Sequence, residues 1–195
     1  MRRAHSPRRL TVPSSQEEVQ LRCLAGLNAA FVQYDFDGKF VAILDRSQDR
    51  LEWRETPPPT GTPLPAGSQQ RGTWRVTATH STESGRQTIR LKLDDVCPNV
   101  QSGFFMVFSG DKGIASVDKS QIELRALGRS DELPLPFMLP SQLGGSTADA
   151  AVISWMYRDA GGSWHFEKVG LPTHGSVGQC DAAANATQVG GASLW

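Results

Sequence analysis

The sequence predicts an all-β protein, namely an antiparallel β-sandwich of about eight short strands with flexible termini. Three observations support this fold class. The 195 residues include 19 Gly and 12 Pro, which divide the chain into many short segments. Several of these segments alternate apolar and polar residues, as strands with one buried face do, and no segment has a convincing helical period. The length is sufficient for one domain with a core.

Three strands are predicted near the start of the domain. Residues 19–23 alternate apolar and polar side chains, and residues 27–34 form a longer, mostly apolar run. The Asp37-Gly38 pair that follows is typical of a tight hairpin turn, because glycine accepts the positive φ that such turns require. Residues 39–44 then return as the third strand.

Four further strands are predicted in the middle of the chain, over residues 73–79, 88–93, 103–108 and 121–126. Residues 88–93 alternate between apolar and polar side chains, which predicts one buried and one solvent-facing surface. Residues 103–108 are apolar on both faces, which predicts a central strand. Residues 133–139 are broken by proline and can form at most a short edge segment.

Residues 151–169 predict a closing β-hairpin, with its turn at residues 159–163. Both strands are rich in β-branched and aromatic residues. A hairpin of this kind is not stable alone, so the rest of the chain must supply a sheet for it to join. The residues expected to share a face are Ile153, Trp155 and Tyr157 in the first strand, and Trp164 and Phe166 in the second.

The chain is predicted to divide into three parts. Residues 1–15 form a flexible basic tail, residues 16–177 a single β-sandwich domain, and residues 178–195 a flexible C-terminal tail rich in small and polar residues. Both tails lack the apolar pattern that would bind them to a core.

Residues 54–72 contain too many prolines for a central strand and predict a surface loop. Within it, Pro57, Pro58 and Pro59 are candidates for a partner-binding surface. Consecutive prolines adopt an extended polyproline helix, a form that partner proteins recognise.

The composition excludes several classes of function. Lys plus Arg and Asp plus Glu each number 20, so no net field attracts nucleic acid. No apolar run is long enough to cross a bilayer, which excludes integral membrane association. The three cysteines are widely spaced and no secretory signal is recognisable, so we expect reduced thiols in a cytoplasmic protein.

Motifs of catalysis are absent from the sequence. The four histidines form no zinc-binding pattern with the cysteines, and there is neither a Gly-x-Ser-x-Gly motif nor a glycine-rich phosphate loop. We therefore expect no enzymatic activity and no cofactor. One alternative stays open, a small enzyme built on Cys97 or His165.

Several motifs follow one another in a characteristic order. They are Gly26-Leu27-Asn28-Ala29-Ala30, His80-Ser81, the alternating strand 89–93, Val96-Cys97-Pro98, and a hairpin that ends at Val169-Gly170. In order and spacing this series resembles the TerD-like tellurium-resistance and stress proteins, over about residues 21–170. The resemblance implies a β-sandwich which, in that family, holds calcium with acidic residues from two loops.

At the positions that match those acids, this chain carries Asn28, Glu83 and Gln87. Calcium requires six to eight oxygen ligands, mostly carboxylates, and only Glu83 is anionic. Arg86 adds a cation to the same loop. The resemblance therefore implies a calcium site that is lost or weak, with Arg86 substituting for the ion by bridging the two loops. In the opposing interpretation these are ordinary polar turn residues.

The resemblance also implies a non-enzymatic binding or scaffold module in a stress response of the tellurite type, with a protein partner. The alternative is a calcium-dependent β-sandwich that binds a ligand or a membrane. Its carboxylates would be Asp35, Asp37, Asp94 and Asp95.

Overall fold

The computed structural model describes residues 9–13, 16–24, 26–55, 73–109, 113–118, 121–138, 142 and 148–173. These residues form twelve strands and no α-helix, so the predicted all-β class is confirmed and the strands are more numerous than expected. The strands are β1 (Leu10–Thr11), β2 (Gln16–Cys23), β3 (Asn28–Asp35), β4 (Phe40–Leu44), β5 (Arg50–Glu55), β6 (Thr73–Glu83), β7 (Arg86–Lys92), β8 (Val100–Phe108), β9 (Ile122–Gly128), β10 (Glu132–Pro134), β11 (Ala150–Arg158) and β12 (Trp164–Thr173). Two short 3-10 turns lie at Leu93–Asp95 and Ile114–Ser116.

The strands form two six-stranded sheets that pack face to face as a sandwich. The first sheet has the order β1-β12-β11-β8-β3-β4, and the second has the order β10-β9-β2-β7-β6-β5. Every neighbouring pair is antiparallel. β8 lies between β3 and β11, which confirms the central strand predicted from its two apolar faces.

The main core lies between the two sheets. Leu21 and Ile89 of the second sheet are fully buried in it, as are Phe31, Phe105 and Phe166 of the first. The Phe31 and Phe105 rings lie 4.7 Å apart, centroid to centroid. Along each of their strands, residues that belong to the main core lie two positions apart. The period-two pattern of a strand therefore directs one face inward.

The outer face of the first sheet carries a second apolar cluster. Tyr34 meets Phe104 edge to face at 5.8 Å, and Phe104 stacks on Trp155 at 6.1 Å. The first sheet is therefore apolar on both faces at its centre. The fully buried members of this outer cluster are Ala30, Val32, Tyr34, Phe104, Met106, Ala150 and Val152.

The closing hairpin departs from its predicted facing. The pairing of β11 with both neighbours shifts register at Ile153, which marks a β-bulge. Ile153 consequently lies in the main core, whereas Trp155 packs against the outer cluster. The prediction that Ile153 shares a face with Trp155 and Tyr157 is wrong, because the extra residue of a bulge interrupts the alternation. Trp164 and Phe166 do share the core face.

Part of the predicted N-terminal tail belongs to the first sheet. In the pairing of β1 with β12, Leu10 lies opposite Phe166 and Thr11 lies opposite His165. Val12 is buried, and its N–H donates to the carbonyl of Trp164 at 2.9 Å. Residues 10–12 are therefore part of the folded domain.

Three other predicted features lie outside the described residues. They are the remaining tail at residues 1–8 and 14–15, the loop that contains Pro57, Pro58 and Pro59, and the C-terminal tail at residues 178–195. In the part of the chain that the structure describes, no helix has the length and apolarity to cross a membrane.

Candidate functional site

The candidate site lies at one end of the sandwich, where β3 begins and the β6–β7 hairpin turns. Asn28 is the first residue of β3 in the first sheet, and Gln87 is the second residue of β7 in the second sheet. The side-chain Nε2 of Gln87 donates to Oδ1 of Asn28 at 2.7 Å. Two of the residues predicted from the resemblance are thus in direct contact and connect the sheets.

The orientation of the Gln87 amide follows from its other contacts. Its Oε1 accepts a hydrogen bond from the backbone N–H of Ala29 at 3.2 Å, and a backbone N–H can only donate. The oxygen must therefore face Ala29, which directs Nε2 towards Asn28. The Nε2 atom of His80 lies 3.3 Å from the same oxygen, so this nitrogen carries the hydrogen of that contact.

Sequence reasoning missed His80 as a member of this network. Gln87 lies opposite Thr82 in the pairing of β6 with β7, so His80, two residues before Thr82, is its diagonal neighbour on the same face. His80 is 8% exposed. Strand alternation in the sequence could have predicted this contact, because it places His80 and Gln87 on the faces that point between the sheets.

Glu83 and Arg86 do not join this network. They lie opposite each other across the tight turn of the β6–β7 hairpin, and both are exposed. The Arg86 side chain makes no hydrogen bond or ion pair with any described residue, and it lines a groove outside the sheet. Neighbouring residues of a strand point to opposite faces, so Arg86 points away where Gln87 points in. The bridge expected of Arg86 is made by Gln87 instead.

The geometry offers few ligands for a cation. Asn28 and Gln87 contribute neutral amide oxygens, and these already accept the hydrogen bonds described above. Among the described residues, no group of three or more His, Cys, Asp or Glu side chains is placed to hold a metal ion.

The alternative carboxylates lie elsewhere. Asp35 is at the far end of β3 from Asn28, about 24 Å along the strand. Its Oδ1 accepts hydrogen bonds from the backbone N–H groups of Asp37 and Lys39 at 2.9 and 2.8 Å, which closes the β3–β4 turn. The other two, Asp94 and Asp95, follow the end of β7 that is remote from Gln87, and Asp95 pairs with Arg75 at 3.3 Å.

A second polar cluster surrounds His165, which is 4% exposed on β12. Its Nδ1 accepts from Nε of Arg9 at 3.2 Å and lies 2.9 Å from the hydroxyl of Thr11. Because the Arg9 Nε–H can only donate, the ring hydrogen is on Nε2, which donates to Oδ2 of Asp159 at 2.7 Å. This bond, with those from the backbone N–H of Ser163 and Gly161, holds the pKa of Asp159 below its ordinary value.

Tyr157 extends this cluster along β11. Its hydroxyl donates to Oε1 of Glu167 at 2.9 Å, and the Arg9 guanidinium lies 5.4 Å from its ring centroid. Burial, followed by the hydrogen bond to Glu167, raises the pKa of Tyr157 to about 12.

The two residues of the enzymatic alternative, His165 and Cys97, lie in different parts of the sequence. The contacts with Arg9, Thr11 and Asp159 give His165 a defined tautomer and fill its hydrogen-bonding positions. Cys97 is a free, half-buried thiol in the segment between β7 and β8.

Comparison with known proteins identifies the fold. No protein-family model and no curated protein sequence matches the chain. A homologue of the telluride resistance protein TerD from Streptomyces coelicolor A3(2), SCO6318, superposes with a TM-score of 0.55 and 15% sequence identity, over 85% of this chain and 95% of that one. A protein of unknown function, SAV2460, superposes with a TM-score of 0.50 and 13% identity, over 85% and 94%. The likeness confirms the predicted TerD-like fold.

Proposed function

We propose that this protein is a divergent TerD-like module that acts by binding a protein partner rather than by catalysis. The fold likeness and the matching order of motifs support a place beside the TerD-like proteins. By that resemblance, its role is as a scaffold in a tellurite-type stress response in the cytoplasm.

In this proposal the calcium site of the family is replaced by a neutral hydrogen-bonded bridge. The observation that carries it is the 2.7 Å hydrogen bond from Gln87 to Asn28, at the position where the resemblance places ion ligands. An Asn28 oxygen that accepts an N–H has lost part of its capacity to hold an ion. The bridge also joins β3 to β7, the mechanical task that an ion between two loops would perform.

A partner, rather than an ion or substrate, is then the object of recognition. The chain has equal numbers of acidic and basic residues, which favours short-range contacts over long-range attraction. The proline triplet at residues 57–59 is the surface that we propose for the partner, through polyproline recognition.

The calcium part of the proposal is tested by a thermal melt with millimolar calcium and with chelator. A ligand present at about a hundred times its dissociation constant stabilises the native state by roughly 2.7 kcal/mol, which shifts the melting temperature by several degrees. We expect no shift for the wild type. The double variant Asn28→Asp with Gln87→Glu is the matched comparison, because it restores two carboxylates and should gain a calcium-dependent shift. A shift of several degrees in the wild type would contradict the proposal.

The stress role is tested by growth on tellurite of a strain that lacks the gene. We expect reduced tolerance, restored by the wild type and equally by Glu83→Ala, since no ion ligand is required. Unchanged tolerance in the deletion strain would refute the stress role, and failure of Glu83→Ala to complement would refute the loss of the calcium site.

A further inference from the structure

A groove of about 570 Å³ lies beside the second sheet, formed by β2, β7, β9, β10 and the chain that follows β10. Its lining includes Arg22, Arg86 and Arg125. The exposed Pro134 and the partly buried Phe137 add apolar surface to the same lining. A volume of this size is in the usual range for small-molecule sites, which combine apolar walls with a few convergent polar groups.

The charges in the groove do not balance. Arg125 pairs with both Glu123 and Glu132, and Arg22 shares Glu123 at 3.6 Å. Among the described residues that line the groove, three are arginines and two are glutamates, which leaves one excess positive charge. Arg86 is the cation left without an ion pair to any described residue.

Strand pairing places Arg86 beside Arg22. Arg22 of β2 lies opposite Thr88 of β7, and Arg86 is two residues before Thr88 on the same face. Such diagonal neighbours are about 7–8 Å apart, within reach of two long side chains that converge on one group. The forked guanidinium matches carboxylate and phosphate oxygens in two-point hydrogen bonds.

We propose that this groove binds a small organic anion. Arg22 and Arg86 hold its carboxylate or phosphate group, and its apolar part lies against Pro134 and Phe137. The anion supplies the negative charge that the groove lacks. This site is separate from the Asn28–Gln87 bridge, and its existence does not depend on the TerD-like role proposed above.

The test is a titration of the full chain with phenyl phosphate, followed by nuclear magnetic resonance of the protein. We expect saturable binding that Arg86→Gln weakens by about tenfold or more, because a charge-assisted hydrogen bond is lost. Arg22→Gln should weaken binding by a similar factor. The matched control is Arg90→Gln, which changes an arginine on the same face of β7 that pairs with Glu18 outside the groove at 3.6 Å, and it should leave binding within about twofold of the wild type.

Two further probes separate the parts of the ligand. Benzoate should compete with phenyl phosphate if the site accepts either anionic group, whereas inorganic phosphate should bind more weakly because it has no apolar part. Since Arg86 has no ion-pair partner among the residues that the structure describes, its variant should fold normally, which a thermal melt verifies. Three results would overturn the proposal. Phenyl phosphate could fail to saturate the protein at millimolar concentration, inorganic phosphate could bind as tightly as phenyl phosphate, or Arg90→Gln could weaken binding as much as Arg86→Gln.

Discussion

The side-chain amide of Gln87 donates a hydrogen bond of 2.7 Å to the side-chain oxygen of Asn28, and these residues belong to different sheets of the sandwich. The Gln87 oxygen accepts in turn from the backbone of Ala29. One side chain of the second sheet therefore satisfies two polar groups of β3 in the first sheet. Polar groups in such half-buried positions stabilise a fold only while their partners are present, since an orphaned donor or acceptor carries a desolvation penalty.

Replacing Gln87 with alanine should destabilise the domain. The variant removes the partner of Asn28 and Ala29 together, so we expect the free energy of unfolding to fall by about 1–3 kcal/mol. Urea denaturation at neutral pH measures the change. Glu83→Ala is the matched control, because Glu83 is exposed in the same hairpin and should change stability by no more than about 0.5 kcal/mol. Equal changes in the free energy of unfolding for the two variants would show that the Gln87 hydrogen bonds do not stabilise the domain.

Strand periodicity predicted much of this fold. Leu21 and Ile89 were directed inward by simple alternation, and both are in the main core. The failures have local causes. β1 has only two residues, too few for any period to be read, and it exists because β12 offers a free edge. The bulge at Ile153 changes facing without a mark in the residue pattern.

The candidate site was predictable in part. Family resemblance grouped Asn28 with Gln87, and their side chains are in contact. The same reasoning placed Glu83 and Arg86 with Gln87 because these three residues belong to one loop in sequence. In a hairpin, however, consecutive residues point to opposite faces. The groove arginines come from three strands, β2, β7 and β9, that are remote in sequence, so only the pairing of strands reveals them.

Gly103 lies where a side chain has no room. A Cβ at this position would be 2.6 Å from two ring carbons of Phe31 and 2.9 Å from the carbonyl oxygen of Val32. The Phe31 ring is 1% exposed and packs on Phe105, so it cannot shift away from the added Cβ without disturbing the core. We expect Gly103→Ala to cost about 1–3 kcal/mol in urea denaturation.

Gly113→Ala is the control for this substitution. Its Cβ would meet no atom closer than the carbonyl oxygen of Ala148, at 3.9 Å. Alanine at a compatible glycine position is neutral or stabilises by about 0.4–1 kcal/mol. A Gly103→Ala protein as stable as Gly113→Ala would mean that the first sheet tolerates the extra carbon.

Stability at low pH should depend on Asp159. The hydrogen bond from His165, with those from two turn amides, lowers the pKa of this carboxyl below 3.8 in the folded protein. The unfolded state then takes up the proton first as the pH falls, so the stabilisation is complete above about pH 4 and is lost on further acidification. The free-energy difference between the wild type and Asp159→Asn should shrink over that range. Asp131→Asn, at an exposed position in the β9–β10 turn, is the matched carboxylate-to-amide control.

Stability at high pH should depend on Tyr157. Burial and the carboxylate of Glu167 raise the pKa of this phenol from 10.0 to about 12. The folded protein keeps the proton when the unfolded chain has already released it, so stability is complete below pH 10 and declines as the pH rises towards 12.

Tyr157→Phe isolates this contribution. At neutral pH the variant should lose about 1 kcal/mol with the hydrogen bond to Glu167, and it should lose less stability than the wild type on going from neutral to strongly alkaline pH. Urea denaturation across the pH range measures both effects. The difference in ultraviolet absorbance between the two folded proteins gives the titration of Tyr157 directly. Ionisation near pH 10 in the folded wild type would contradict the buried hydrogen bond from Tyr157 to Glu167.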